Sequence, residues 1–529
     1  MIYSPLLLSG PPPRHSSTFA NIFSNLEIAL VAPSKVSEQE SYQEIQGQSQ
    51  QRDRPHADNF IPPISLLYDG FGVFGDVFNE MGSVPGENDI LEVKLWNEVH
   101  AFAGQMIKFY DTEAQRQDVL LRSLDRIFRA RRDPEGDRIS DSKIGSHLIT
   151  RGAHGAIIFC VECKNELTNI SCEPSAKLVS YIAGSFKEEM NGEHQAMFHA
   201  WRVPALGMTQ IGEWTPRTLG LHFLTRYLGA FVQFFGVVML APQIRIVPLT
   251  PMLPLAIPID DERSRRRLFL AFKAASIVIS KIQTDVLRLV EKTPPEIPLE
   301  LRGLPSVTGI KKVGSTSSRI EFALKNRHDT TNPYRNLYHA QLIPTGQGIY
   351  VKFTRQYSHE LHTFCAERGL APELLGFEQL PGGWFALAME KVDTVDLRDI
   401  GPLLELDTWK QKIRKLVDDF HQEGLVHGDL RLANFIFTKA TPRRMLLVDF
   451  DWGGKEKEVY FPRGELAKEL RAQDGQHDCL DRPITKEDDN RVFEWTFGLL
   501  EGTVTEVAIA DEPSLPGETE MEVDPIWYS

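Results

Sequence analysis

The most constraining feature of this 529-residue chain is a polar loop closely followed by an apolar run that ends in acids. The loop is the run Leu425 to Phe435, with the sequence LVHGDLRLANF, and the apolar run is Leu446 to Asp451, with the sequence LLVDFD. Together they supply Asp429, then Asn434 five positions later, and then a second carboxylate, Asp449, on a predicted short strand. This ordered spacing is hard to obtain by chance, so it limits both the fold and the chemistry.

These residue types are those that transfer a phosphoryl group from ATP to a hydroxyl. Asp429 would accept or orient the substrate hydroxyl, and Asn434 and Asp449 would hold Mg²⁺ against the phosphates. Arg431 would neutralise charge on the transferring group. We therefore predict Asp429 and Arg431 as catalytic residues, Asn434 and Asp449 as metal ligands, and ATP and Mg²⁺ as cofactors.

A lysine lies earlier in the chain on a short predicted strand, Gly348 to Phe353. Side chains alternate along a strand, so Tyr350, Lys352 and Thr354 would share one face. Lys352 would then point into a cleft, where it is predicted to bind the α and β phosphates of the nucleotide.

A helix is predicted to follow, with Ser358 as its N-cap and its end at Gly369. Glu360 lies in the first turn of this helix. A carboxylate at that position would pair with Lys352 and steer its amine onto the phosphates, so Glu360 is predicted to assist nucleotide binding.

Two more elements complete the predicted site. The strand Trp384 to Met389 runs into Glu390, and Met389 and Glu390 would offer backbone groups to adenine. A helix with one apolar face would then deliver the chain to the loop that carries Asp429; its buried residues would be Trp409, Ile413, Leu416, Val417 and Phe420.

The order of these motifs resembles the protein-kinase-like superfamily. More narrowly, it is similar to the fungal-type kinase-like proteins that form large sets in mushroom-forming fungi, and the similarity covers about residues 305 to 500. It implies a bilobal fold and a protein serine/threonine kinase. The matching motifs are Val-x-Lys352-Phe353, Glu360-Leu361-His362, Met389-Glu390, His427-Gly428-Asp429-x4-Asn434 and Asp449-Phe450-Asp451-Trp452.

Some family features differ in this chain. The nearest counterpart of a glycine-rich phosphate loop is Val313 to Ser318. Gly428 replaces the arginine that reads activation-loop phosphorylation in regulated kinases, and Asp451 replaces the glycine of Asp-Phe-Gly. Small-molecule kinases share these features, so a small molecule is the alternative acceptor.

Taken singly, each residue also has a purely structural interpretation. Lys352 would be a solvated strand lysine, Glu360 an acid favoured by a helix N-terminus, and Asp429 with Asn434 a pair of turn caps. A catalytically impaired, nucleotide-binding pseudokinase scaffold is therefore an alternative function.

An earlier part of the chain contains a Glu-x-Lys pair, Glu162 and Lys164, at the end of an apolar strand. Residues two apart on a strand share a face, so the pair would form the half-site used by restriction-endonuclease-like folds. The segment resembles nuclease-like domains that precede kinase domains in related fungal proteins. A kinase-linked effector-type nuclease, or a vestigial one, is thus a further alternative, and only in that case is nucleic acid an expected partner.

The nuclease pattern is incomplete. It needs an aspartate near residues 151–155, whereas the nearest preceding acids, Asp137 and Asp141, are predicted to lie in loops. Lys177 occupies the helix position that is usually glutamine. Cys160 and Cys163 form a Cys-x-x-Cys, but residues three apart on a strand face opposite sides, which favours packing over zinc binding.

The chain is too long for one core, and its composition divides it into several parts. The predicted fold class is α+β: a bilobal kinase-like C-terminal domain preceded by an α/β domain, with disordered termini. The predicted ranges are a disordered arm at 1–60, an α/β domain at 61–292, a linker at 293–304, kinase-like lobes at 305–392 and 393–508, and an acidic tail at 509–529.

The charge, the cysteine content and the hydropathy restrict the environments in which the protein is predicted to function. The net charge of −14 argues against a surface that coats nucleic acid or anionic membranes. Five scattered cysteines are typical of reduced thiols, so an intracellular location is expected. The most apolar run, Tyr227 to Pro258, is broken by polar residues and prolines, which predicts a buried helix and strand instead of a membrane span.

Overall fold

A computed structural model describes residues 62–80, 90–130, 140–144, 147–151, 157–164, 174–189, 195–212, 230–240, 244–292, 296–315, 317–328, 335–395, 406–462, 470 and 482–510. The predicted arm at 1–60, Asp137 and the tail beyond Ala510 lie outside these residues. The chain forms two compact units. The first comprises Met1–Thr308, Phe322–Ala340 and Gln379–Trp384, and the second comprises Gly309–Glu321, Gln341–Glu378 and Phe385–Ser529.

The first unit contains a long helix that carries much of its core. Asp261 caps this helix by accepting a hydrogen bond from the Ser264 backbone N–H at 3.0 Å. Apolar residues at helical spacing, such as Leu268, Phe272 and Ile279, are buried along one face. The helices are α1 Ile64–Leu67, α2 Asp69–Phe78, α3 Ile90–Met106, α4 Glu113–Ala130, α5 Pro174–Glu189, α6 Gln195–Ala200 and α7 Glu262–Glu291.

A seven-stranded sheet completes this unit. Its order is β1-β2-β3-β4-β5-β6, with β7 paired to β5. The pair β3 and β4 is parallel and the other pairs are antiparallel, which fits the position of α5 between β3 and β4 in the chain. The strands are β1 Ser140–Ile144, β2 His147–Arg151, β3 Ile157–Lys164, β4 Pro204–Ile211, β5 Phe231–Met239, β6 Ile244–Pro248 and β7 Leu253–Pro254.

Two predictions for the first unit need correction. The run 227–258 contains the strands β5, β6 and β7 in its described part, because β-branched and aromatic residues there pair in the sheet. Asp141 lies on β1 opposite Thr150, and so it is not in a loop. Among the described residues, no helix is long and apolar enough to cross a membrane.

A six-stranded sheet precedes the predicted catalytic loop in the chain. Its order is β12-β13-β11-β10-β9-β8, and β11 pairs antiparallel with β13 so that Lys352 is opposite Leu387. Val351, which faces away from Lys352, is fully buried. The strands are β8 Gly309–Lys311, β9 Arg319–Arg327, β10 Leu337–Leu342, β11 Gly348–Thr354, β12 Leu374–Leu380 and β13 Trp384–Glu390.

The remaining elements belong to the second unit and comprise helices and two small sheets. The predicted helix through Trp409 and Phe420 is α9, and its apolar residues are buried as expected. The predicted catalytic loop connects β15 to β16. Asp449 lies two residues beyond the end of β17, so it is not on a strand as predicted. The elements are α8 His359–Glu367, β14 Thr394–Val395, α9 Leu406–Gln422, β15 Leu425–Val426, β16 Phe435–Thr438, β17 Met445–Leu447, β18 Gly454–Lys455 and α10 Lys486–Ala510.

Candidate active site

Lys352 and two carboxylates form the centre of the candidate site. The Lys352 Nζ atom lies 2.5 Å from Asp449 Oδ1 and 2.6 Å from Asp451 Oδ1. Burial alone lowers the pKa of Lys352, but the charges of Asp449 and Asp451 outweigh burial, so the pKa is raised above 10.5. The lysine is therefore a fixed cation beside two acids.

Strand alternation places a second group of β11 on the same carboxylates. The Thr354 hydroxyl lies 3.2 Å from Asp451 Oδ2, so Lys352 and Thr354 share a face as predicted. Burial raises the pKa of Asp451, the Lys352 charge opposes that rise, and the nearby Asp449 adds to it. Asp451 thus depends on Lys352 and Thr354 for its stabilisation as an anion.

The predicted partner of Lys352 is not the one found. Ser358 caps α8 as expected, accepting from the Leu361 backbone N–H at 3.3 Å, and Glu360 lies in the first turn. Glu360 is nevertheless solvent-exposed, and its carboxylate has no ion pair with Lys352 among the described residues. The predicted pairing of Lys352 with Glu360 was wrong, because the Lys352 amine pairs with Asp449 and Asp451, which follow β17 in the chain.

Asp449 adopts a backbone conformation that non-glycine residues rarely hold. Its φ angle is 68°, in the left-handed region, which costs about 1–2 kcal/mol. The next residue, Phe450, is buried and stacks on His362 with ring centroids 4.6 Å apart and an angle of 12° between the planes. Phe450 also contacts His427, with ring centroids 5.2 Å apart. Packing of Phe450 therefore holds the strained Asp449 in place.

His362 is a buried hydrogen-bonded residue and not a cation. Its Nδ1 atom lies 2.6 Å from the Tyr357 hydroxyl, and its Nε2 atom lies 2.9 Å from the Pro372 carbonyl oxygen. Burial lowers the pKa of His362 to about 4. The neutral tautomer that satisfies both bonds has Nε2–H donating to Pro372 and Nδ1 accepting from Tyr357.

The predicted catalytic base forms a bidentate pair with the predicted catalytic cation. Arg431 Nε lies 2.5 Å from Asp429 Oδ1, and Arg431 Nη2 lies 2.8 Å from Asp429 Oδ2. The Asn434 Nδ2 group donates to the Asp429 carbonyl oxygen at 2.9 Å. The three residues are thus brought together on one short loop, and Asp429 is mostly buried.

An acid that sequence reasoning missed anchors this loop. Asp489, on α10, accepts from the backbone N–H of His427 at 2.7 Å and from that of Gly428 at 2.8 Å. Its Oδ2 atom also lies 3.1 Å from His421 Nε2. Asp489 is buried, so charge-assisted hydrogen bonds hold the loop against the C-terminal helix.

Gly428 is required by the backbone here. Its φ angle is +80°, and a Cβ atom at this position would lie 2.7 Å from Ile484 Cδ1. An arginine, the residue that regulated kinases carry here, therefore does not fit without a shift of Ile484 or of the loop.

Backbone N–H groups at two predicted nucleotide-binding segments are already hydrogen-bonded within the protein. The Glu390 backbone N–H donates to the Glu373 carbonyl at 2.9 Å, so it is not available to adenine, and that part of the prediction needs correction. Met389 lies opposite Tyr350 in the sheet. In the turn Val313 to Ser318, the N–H groups of Val313, Ser315 and Ser318 are used in bonds to other protein atoms.

Asn434 and Asp449 offer oxygen donors for a metal ion. Asn434 uses its Nδ2 group on Asp429, which leaves the Oδ1 oxygen as its ligand atom, and Asp449 supplies a carboxylate. Oxygen donors of this kind suit Mg²⁺. Within the described part of the chain, no group of three or more His, Cys, Asp or Glu side chains could hold a metal.

Of the Glu-x-Lys pair in the first unit, the structure describes the side chain of Glu162. Glu162 is fully buried on β3, between His147 on β2 and Thr209 on β4 in the sheet register. Its Oε1 atom lies 3.6 Å from Nζ of Lys177 on α5. Lys164 is the last residue of β3, and its side chain lies outside the description. The structure therefore brings Glu162 together with Lys177.

Comparisons with known proteins yield structural neighbours only. No family model and no curated protein matches the chain. The chain is similar to the Cydia pomonella granulovirus kinase PK-1, at 14% identity and a TM-score of 0.28, over 34% of this chain and 69% of that chain. It is also similar to the Rad53 kinase domain and SCD2 in complex with AMPPNP, at 19% identity and a TM-score of 0.20.

The second likeness covers 25% of this chain and 51% of the Rad53 chain, about half its length. Both neighbours are protein kinases.

Proposed function

We propose that the chain is an ATP- and Mg²⁺-dependent phosphotransferase with a kinase-like fold. The supporting observation is the lysine of β11 held on the carboxylate that follows β17. Lys352 and Asp449 are 2.5 Å apart, in the same compact unit as the loop that carries Asp429. These are the side chains that phosphoryl transfer requires: a phosphate-binding cation, a metal-binding acid and a hydroxyl-binding acid.

Asp429 is the group that binds the acceptor hydroxyl. Each of its oxygens accepts one bond from Arg431 and retains a second acceptor site, so Asp429 can also accept a hydroxyl O–H. The hydroxyl oxygen forms a new bond to the γ phosphorus while the bond from that phosphorus to the β–γ bridging oxygen breaks. The hydroxyl proton passes to Asp429, and Arg431 offsets the negative charge.

Lys352 binds and orients the phosphates in this proposal. Its raised pKa keeps it cationic at neutral pH. Its ammonium group has three N–H donors, so two can stay on Asp449 and Asp451 while the third would donate to an ATP phosphate. Asn434 Oδ1 and Asp449 would hold Mg²⁺, which when bound supplies charge neutralisation for the phosphates. Asp489 and Phe450 keep the two metal-binding residues in place through the loop and through the Asp449 backbone.

Measurement of phosphate transfer from γ-labelled ATP tests the proposal. Asp429→Ala should abolish transfer while the protein stays folded, because neighbouring bonds to the backbone of this loop do not involve the Asp429 carboxylate. Asp407→Ala, at an exposed acid in the first turn of α9, is the matched control. Equal transfer by the wild type and Asp429→Ala would refute the proposal.

A second candidate, a nucleotide-binding pseudokinase scaffold, is favoured by one observation. Three N–H groups of the turn near Gly314 are used within the protein, those of Val313, Ser315 and Ser318, which leaves fewer amides for phosphates. A thermal-shift titration with ATP and Mg²⁺ separates binding from none, and single-turnover transfer separates an enzyme from a sensor. A shift without transfer would favour the scaffold.

A third candidate, a kinase-linked effector-type nuclease, has the buried acid of β3 in its favour. Glu162 lies on a strand whose parallel neighbour β4 follows α5, and α5 brings Lys177 to the acid. Metal-dependent nicking of plasmid DNA that is lost in Glu162→Gln and Lys164→Ala would support cleavage. Without such nicking, the site is at most a vestigial one.

The finer parts of the proposal concern acceptor and family. We propose protein serine or threonine hydroxyls as acceptors, a bilobal arrangement, and membership of the fungal-type kinase-like group on the motif Asp449-Phe450-Asp451-Trp452. An intracellular location accords with the buried, reduced thiols of Cys160, Cys163 and Cys365. A screen of purified protein acceptors and small-molecule acceptors tests the substrate class.

A further inference from the structure

The second unit has a cavity away from the candidate active site. It has a volume of about 370 Å³, within the range of about 300–1,000 Å³ that is usual for ligand sites. Three segments bound it: residues 368–370 after α8, one side of α9, and residues 443–445 at the start of β17. None of the residues that we assign to phosphoryl transfer lines it.

The rim of this cavity is basic although the whole chain is acidic. Five cations and one acid line it, against a net charge of −14 for the chain. Lys415 pairs with the one acid, Asp419, at 3.2 Å, so that acid is already partly neutralised. The other four cations leave a local positive potential that attracts an anionic ligand; they are Arg368, Lys412, Arg443 and Arg444.

The floor of the cavity is apolar. Trp409, Ile413 and Leu416 of α9 are buried there, and Leu370 and Met445 complete the lining. A ligand that fills it therefore needs apolar groups as well as negative charges. A free phosphate or a polyanion without apolar groups would satisfy only the rim.

The last nineteen residues of the chain have this combined chemistry. They contain no Lys, Arg or His, and Glu520-Met521-Glu522-Val523-Asp524 alternates acids with apolar residues. In an extended peptide, Met521 and Val523 would face one side and the acids the other. The segment carries six acids in total, which are Asp511, Glu512, Glu518, Glu520, Glu522 and Asp524.

The segment is also long enough to reach the cavity. Helix α10 packs on α9, where Arg414 Nη1 lies 2.9 Å from Asn490 Oδ1 and its guanidinium lies 3.9 Å from the Phe493 ring centroid. From Phe493 to Ala510 the helix rises by about 26 Å, whereas nineteen extended residues span about 63 Å. Distance therefore does not prevent the segment from returning to α9.

We propose that residues 511–529 dock in this basic cavity of their own chain. Met521 and Val523 contact the apolar floor, and the alternating acids pair with the cations of the rim. The cavity is thus an interaction site for an acidic, apolar peptide, and its occupant is the C-terminal segment. This proposal is independent of phosphoryl transfer and is tested without an activity assay.

Zero-length carbodiimide cross-linking of the full-length protein tests the docking directly. The reagent joins amines to carboxylates that are in contact, and Lys412 offers an exposed amine on the rim. Mass spectrometry should find Lys412 joined to carboxylates of residues 511–529. In Arg443→Glu/Arg444→Glu the yield should fall about tenfold, because the rim charge is reversed while both reacting partners remain.

Lys391→Glu/Lys455→Glu is the matched control, since both lysines are exposed, lie outside the cavity, and give the same change in charge. It should keep the wild-type yield. Circular dichroism melting checks the fold of each variant. Should the cavity variant unfold, wild-type protein in increasing NaCl provides the second measurement, and the yield should fall as salt screens the exposed charges.

Three results would overturn the proposal. The first is the absence of cross-links from Lys412 to the segment, or a yield that charge reversal leaves unchanged. The second is cross-linking only between isotopically heavy and light chains, which assigns the occupant to a second copy. The third concerns a fluorescent Glu-rich peptide whose affinity for the protein depends on Arg443. If this peptide binds equally well to the wild type and to a variant with the six tail acids changed to amides, the tail does not occupy the cavity. The cavity is then assigned to a partner.

Discussion

Lys352 lies 2.6 Å from Asp451, an acid that directly follows the aromatic residue of the motif Asp449-Phe450-Asp451. The Thr354 hydroxyl, on the same face of β11, lies 3.2 Å from the other oxygen of Asp451. The amine is therefore fixed on the two acids of one motif, and an acid on α8 has no part in this pairing. Asp451 acquires a positioning role that the sequence pattern had assigned to Glu360.

We predict that Asp451→Asn slows phosphate transfer by about 10- to 100-fold, because a misplaced Lys352 amine no longer orients the phosphates. Glu360→Gln should change the rate by about twofold at most, since exposed charges contribute little. Steady-state kinetics with varied ATP measures both effects. Asp451→Glu should restore part of the rate, and a larger effect of Glu360→Gln than of Asp451→Asn would contradict this role.

Asp489 should be the acid on which the stability of the catalytic loop depends most. Asp489→Asn presents an NH₂ group to one of the two backbone N–H groups of His427 and Gly428, and it removes a buried charge-assisted bond. The free energy of unfolding should fall by about 2–4 kcal/mol. Urea denaturation measures the change.

Asp418→Asn, at an exposed acid of α9, is the control for Asp489→Asn. Its free energy of unfolding should stay within about 0.5 kcal/mol of the wild type. If the two variants lose equal stability, the anchoring role of Asp489 is wrong.

Local patterns predicted the parts of the site that depend on local geometry. Alternation along β11 placed Lys352 and Thr354 on one face, and a capping serine marked the start of α8. The apolar stripe of α9 predicted its buried side. Each of these follows from a period or a cap that a few neighbouring residues determine.

The pairs that are distant in sequence were not predictable in this way. Asp489 bonds to the backbone of His427, 62 positions earlier, and nothing near Asp489 marks it as different from its neighbour Asp488. Asp451 reaches Lys352 across 99 positions and displaces the local candidate Glu360. Such pairings depend on how strands and helices pack, which spacing along the chain does not encode.

His362 should make the protein less stable in acid. Its pKa falls from 6.5 in the unfolded chain to about 4 in the folded protein, because burial disfavours the charged ring. The unfolded state therefore binds more protons between these values. The stability that the neutral ring allows is complete above pH 6.5 and is lost as pH falls towards 4, by about 3 kcal/mol in total.

His362→Phe keeps a ring against Phe450 but cannot titrate. Its free energy of unfolding should start lower, since the bonds to Tyr357 and Pro372 are lost, and should fall less steeply between pH 6.5 and pH 4. Urea denaturation at several pH values measures both slopes. Parallel curves for the two proteins would rule out His362 as the source.

Activity should not require phosphorylation of the protein. Gly428 has no guanidinium that could bind a phosphorylated loop, unlike the arginine of regulated kinases. Phosphatase treatment followed by removal of the phosphatase should leave the transfer rate unchanged within about twofold. A mock-treated sample is the control, and a silenced enzyme after treatment would count against the prediction.

Two glycines on either side of β15 separate the backbone and the packing contributions to stability. Gly424 and Gly428 have φ angles of +76° and +80°, but only at Gly428 would a Cβ atom meet a close neighbour, Ile484 Cδ1 at 2.7 Å. Gly424→Ala should cost about 1 kcal/mol of stability, from its backbone alone. Gly428→Ala should cost about 1–3 kcal/mol more, because the added methyl group overpacks the site.

Replacement of the neighbour tests that explanation. Ile484→Val removes the Cδ1 atom, so the double variant Gly428→Ala/Ile484→Val should lose less stability than the sum of the two single variants. Urea denaturation of the wild type and the three variants completes the double-mutant cycle. An additive cycle would show that the methyl group added in Gly428→Ala does not press on Ile484, and the strain at Gly428 would then lie in its backbone alone.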